Sequence, residues 1–190
     1  MLKTNKMLVF CVLFSSVVCI AGNSNILDKQ FDDLYGASPL LNLPVEYCYG
    51  PSERSSVDSV DFIELPESLF SAFKFDEMYE NVLYIARLPE YKNIKVIIVR
   101  ASALSGESGL FLHTLKNNKL IDELRVYSEG DAEYGGSTAA TSLTSFAITK
   151  NYDIHVKHST VPAYEDRDKE VNVTQRTYII NKSGKFVRKK

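Results

Sequence analysis

Three histidines, His113, His155 and His158, are the side chains best suited to proton transfer or metal binding near neutral pH. His155 and His158 lie three apart in a segment that alternates from Tyr152 onward. On a strand they face opposite sides, so they do not form a two-ligand metal site. All three are expected to be isolated surface or edge residues, His155 beside Asp153 and Lys157 on a solvated face and His158 at the end of the apolar face. Glu129, Asp131 and Glu133 alternate and could offer oxygens to calcium, but they lack the Asp-x-Asp-x-Asp-Gly pattern with its distal Glu. They read as a solvated acidic tip. Ser105-Gly106-Glu107-Ser108-Gly109 is one residue short of a Gly-x-Ser-x-Gly elbow, and a strand rather than a helix follows it. No catalytic residue, metal ligand or cofactor is assigned.

Cys48 sits between Tyr47 and Tyr49 and reads as a buried small hydrophobe. Asn172-Val173-Thr174 and Asn181-Lys182-Ser183 match the glycosylation acceptor pattern, which is common by chance. The chain has no Trp but 11 Tyr, several of them on expected strands and loop tips. Tyr is favoured at protein interfaces. Tyrosine and acid coincide in two expected loops, Ser128–Ala140 and Thr160–Asn172. Glu129, Asp131, Glu133, Tyr134, Tyr164 and Asp166 are therefore the candidate partner-binding residues.

The elements that must position these residues begin after Ala21. Lys3 and Lys6 precede the apolar run Met7–Ile20, and Ala21-Gly22 leads into polar sequence. This is the layout of a secretory signal peptide with cleavage after Ala21, and the run is short for a membrane span of ~20 residues. Lipidation at Cys19 is the alternative, although Val18 precedes it where Gly, Ala or Ser is usual. The expected organisation is a signal over 1–21, an extended N-terminal arm over 22–58 and a β-rich domain over 59–190. Pro66-Glu67 favours a helix start, and Asp76 could cap a second helical piece through Leu83, with a strand over Asn81–Leu88 as the alternative. Ile94–Arg100 is dense in β-branched residues and reads as a central strand covered on both faces. Asn117-Asn118 suits a two-residue hairpin, and further turns fall at Lys150-Asn151 and Ser183-Gly184. The expected fold is α+β, a predominantly antiparallel β-meander of about six strands with one or two helices packed on one face.

The formal net charge is −2, and loss of Lys3 and Lys6 would make the domain more acidic. That balance argues against nucleic acid as a partner. Lys185, Arg188, Lys189 and Lys190 form a basic tail that reads as a solvated terminus.

The C-terminal half, from Lys119-Leu120-Ile121-Asp122 to Thr177-Tyr178-Ile179-Ile180-Asn181-Lys182-Ser183-Gly184-Lys185-Phe186, resembles the ending of small exported proteins of Gram-negative bacteria. Some of those are periplasmic immunity proteins encoded beside secreted toxins. The resemblance covers Ile94 to Val187 and rests on strand-and-turn texture. It implies an envelope location and a protein-binding role, and it carries over no site residues. The functional expectation is an exported, non-catalytic protein-binding module, such as an immunity or inhibitor protein. An envelope hydrolase using carboxylates and a lipid-anchored structural protein are the alternatives. Contact with a membrane is expected only through the signal or a lipidated Cys19.

Overall fold

A computed structural model describes residues 26–48, 54–73, 79–103, 108–134, 137–162 and 171–190; side chains are described for these except 54, 71–72, 79–82, 102–103, 108, 129–134 and 137–139. The signal segment, including Cys19 and Ala21, lies outside the described residues. The chain divides into two units, Met1–Ala37 and Ser38–Lys190. In the first, residues 26–37 form an α-helix within the segment expected to be extended. Leu27, Phe31, Leu34 and Tyr35 have the spacing of one helix face, and the Phe31 and Tyr35 rings stack at 6.1 Å. No helix among the described residues is long and apolar enough to cross a membrane.

The described residues of the second unit form eleven strands, where about six were expected. They are β1 (Val45–Cys48), β2 (Arg54–Ser55), β3 (Ile63–Glu64), β4 (Tyr79–Tyr91), β5 (Ile94–Ala103), β6 (Ser108–Lys116), β7 (Lys119–Tyr134), β8 (Ser137–Ile148), β9 (Ile154–Pro162), β10 (Val171–Ile180) and β11 (Phe186–Arg188). From β3 to β11 each strand pairs with the next in an antiparallel meander. Two elements correct the expectation. Residues 79–83 are strand rather than helix, because Leu83 and Ile85 alternate with solvent-facing Tyr84 across from β5. Residues 128–134 and 137–140 belong to paired strands rather than a loop, with Ser128 opposite Thr144 and Tyr134 opposite Ser137. Their small residues resembled a flexible tip by composition, yet they suit close strand pairing. Glu67–Phe73 is a 3-10 segment where a helix start was expected.

Strands β4–β6 are buried on both faces. One face carries Ala86, Ile98 and Leu112 in register, all in the main core with Phe146, Ile148, Ile154 and Ile180 of later strands. The other carries Ile85, Val99 and Phe111 in register. Buried Leu65, Leu69 and Phe73 lie along the segment that follows β3; the Leu65 N–H donates to the Leu83 carbonyl, and the Phe73 ring meets His113 edge-on at 5.5 Å. Each of these large side chains contributes roughly 1.5–3 kcal/mol by leaving water.

The meander curls so that its late strands meet its early ones. The Thr114 hydroxyl donates to the Gly184 carbonyl at 2.6 Å, and the Phe186 N–H donates to the Asp122 carboxylate at 2.8 Å. The Tyr152 hydroxyl donates to the Pro89 carbonyl. Gly184 has φ +88, and a Cβ there would lie 2.5 Å from Ile121 Cδ1, so both backbone and space call for glycine.

Candidate functional site

β7 changes partners at Ser128. Up to that residue it pairs with β6, and from it onward with β8. β8 continues past Thr144, where its pairing with β7 begins, so Phe146–Ile148 would lose an edge partner. β1 takes that place, with Val45, Glu46 and Tyr47 opposite Ile148, Ala147 and Phe146. The backbone demand for hydrogen bonds thus brings β1 into the fork. Tyr47 then reaches the Tyr127 ring edge-on at 4.6 Å and stacks with Phe146 at 6.3 Å.

Beside these rings, Arg100 stands at the end of β5 opposite Leu110. Its Nη2 lies 2.7 Å from Asp58 Oδ1, and its guanidinium lies 4.8 Å from the Phe62 ring centre. Asp58 belongs to the 3-10 turn Val57–Ser59, which is pinned by fully buried Val57. The preceding Ser56 holds this turn to β1, since its hydroxyl accepts from the Glu46 N–H at 2.8 Å and donates to the Glu46 carbonyl at 3.1 Å. Tyr47, Asp58, Arg100, Gly109, Leu110 and Tyr127 line a cleft of about 190 Å³. Ligand pockets usually run to ~300–1,000 Å³, so the cleft suits one inserted side chain better than a substrate. The Arg100 and Asp58 side chains are 38% and 54% exposed, so water screens their attraction and leaves both within reach of a partner.

A polar row runs close by. Ser128, Thr144, His158 and Thr174 are opposite one another on four consecutive strands. Ser128 Oγ lies 3.2 Å from Thr144 Oγ1, which lies 3.1 Å from His158 Nδ1. His158 is exposed and His155 is half-buried, with Nδ1 3.0 Å from Thr177 Oγ1. Cross-strand hydroxyl pairs of this kind commonly support a sheet.

His113 corrects the expectation of a surface residue. It is fully buried on β6, opposite Glu123, whose carboxylate lies 3.5 Å from Nε2. Burial pushes the imidazole down to about 3, so the ring is neutral. The half-exposed Glu123 would favour the charged form, but solvent screens it and desolvation dominates. The signal for this burial was the position of His113 between Leu112 and Leu115 in a strand beside Ile94–Arg100. Cys48 is half-buried rather than buried.

Of the candidate partner-binding residues, Glu129, Asp131, Glu133 and Tyr134 lie in the second half of β7, with Glu129 opposite Leu143 and Asp131 opposite Thr141. Their side chains lie outside the described residues, as do Tyr164 and Asp166. Sequence reasoning missed Arg100, Asp58 and the pairing of Tyr47 with Tyr127. Among the described residues, no group of three His, Cys, Asp or Glu could hold a metal ion. Comparison with protein-family models, with curated proteins and with solved structures gives no match.

Proposed function

We propose that the protein is an exported, non-catalytic protein-binding module, acting in the periplasm or outside the cell as an immunity or inhibitor protein does. The cleft supports this reading. Two tyrosines and an accessible Arg–Asp pair surround a volume suited to one anchoring side chain. Tyr and Arg are the residue types that dominate interface energetics when a partner excludes water from them. Affinity capture by the purified protein from envelope and secreted fractions tests the reading. One stoichiometric protein is expected, and its absence would count against the proposal.

An envelope hydrolase is the second reading, favoured by the 3.1 Å contact of Thr144 Oγ1 with His158 Nδ1, which is hydroxyl–base geometry. It requires ester turnover that His158→Ala abolishes in a protein that stays folded.

A further inference from the structure

Arg176 and its neighbours at the outer half of β10 suggest how a partner would dock. β11 pairs with β10 only at Tyr178, Ile179 and Ile180, and the Lys189 N–H donates to the Thr177 carbonyl. Val171 and Thr174–Arg176 pair with β9 on one side, with an irregularity between Val171 and Thr174, and no strand among the described residues lies on the other. Asn172 to Arg176 are all exposed, Val173 by 51%. In an antiparallel strand, N–H and C=O of alternate residues point to the same side, so the outward direction at Thr177 recurs at Gln175. Gln175 therefore presents a backbone donor and acceptor to the open side.

The charge around this edge is predominantly positive; Asp153, just before β9, lies 3.1 Å from Lys189 Nζ and offsets that one cation. The described residues of β9, β10 and β11, together with the β10–β11 turn and the tail, hold Lys157, Arg176, Lys182, Lys185, Arg188, Lys189 and Lys190 and no acid. Lys157 stands opposite Gln175, and Arg188 opposite Tyr178. Residues 154–190 as a whole hold nine Lys or Arg against four Asp or Glu, in a chain whose net charge is −2. An incoming strand from a second copy would bring the same cations together.

We propose that the open edge of β10 takes an extended, acidic segment of another protein as an added antiparallel or parallel strand. Main-chain hydrogen bonds at Gln175 would supply affinity, and Arg176 and Arg188, which share one sheet face, would select carboxylate-bearing side chains. The inference rests on the protein-binding reading but uses a surface separate from the cleft.

The test uses the full chain and two synthetic ten-residue peptides that alternate Val with Glu or Val with Lys, followed by backbone amide NMR shifts. The Glu peptide should shift the amides of Val171–Arg176 and bind at least tenfold more tightly than the Lys peptide. Gln175→Pro removes an outward N–H at an edge position where a strand tolerates proline and should abolish the shifts; Arg176→Glu, which leaves the backbone intact, should weaken Glu-peptide binding at least fivefold. Absence of β10 shifts, equal binding of both peptides, or concentration-dependent β10 shifts in the protein alone would overturn the proposal. The last result would assign the edge to a second copy. If a protein captured by wild type is held equally by Gln175→Pro and Arg176→Glu, the edge is refuted while the protein-binding reading stands. If nothing is captured but the Glu peptide binds as described, the reading fails and the edge chemistry survives.

Discussion

β5 and β10 are both ten residues long and both lie inside one antiparallel meander, yet their surroundings are opposite. Val96, Ile97, Ile98 and Val99 of β5 are completely buried, because both faces are covered and both edges are paired. On β10, residues Asn172–Arg176 are exposed and have a strand on one side alone among the described residues, and only Ile180 is buried. Pairing alone does not make a core. The strands that hold the fold together are those covered twice, and the lightly covered strands can meet a partner without disturbing them.

Substitutions that empty the doubly covered strands should have the largest effect. Ile98→Ala should lower unfolding free energy by about 2–5 kcal/mol, read from urea denaturation. Thr174→Ala on β10 should stay within about 0.5 kcal/mol in the same assay. Equal losses at the two sites would erase the comparison.

His113 sharpens it through pH. In the unfolded chain the imidazole takes up a proton near 6.5, whereas the folded ring stays neutral down to about 3. The unfolded state therefore binds more protons in that window, and stability should fall as pH drops from 6.5 toward 3, with a slope approaching ~1.4 kcal/mol per pH unit from this group. His113→Leu should flatten that part of the profile. An identical slope in His113→Leu would show that burial of this ring is not the source.

A small stability effect is also expected at the cleft. Arg100→Ala breaks a half-exposed ion pair and should cost about 0–1 kcal/mol, read from the thermal midpoint. A loss of several kcal/mol would make Arg100 part of the core and remove it as a partner contact.

The doubly covered region was largely legible in the sequence. Ile94–Arg100 announces burial on both faces, and Asn117-Asn118 adopts the left-handed φ values of 50 and 58 that its hairpin turn requires. Lys92-Asn93, with φ values of 51 and 66, does the same between β4 and β5 but carries a weaker turn signal. The helix over 26–37 was hidden among nearby Gly36, Pro39 and Pro44, although Leu27, Phe31, Leu34 and Tyr35 have helical spacing. The cleft was not legible, because its residues run from Tyr47 to Tyr127 and meet only when β1 enters the fork between β7 and β8. The exposure of β10 was only partly legible, since Thr174, Gln175 and Arg176 are polar in succession but Val171 and Val173 flank Asn172 as in a half-buried strand.

The most direct test of the binding account is quantitative affinity capture with wild type and Arg100→Ala side by side, read by mass spectrometry. The account predicts one stoichiometric protein held by wild type and depleted at least tenfold by Arg100→Ala, with both proteins equally folded. The same protein retained equally by both, or no stoichiometric protein on wild type, would contradict it.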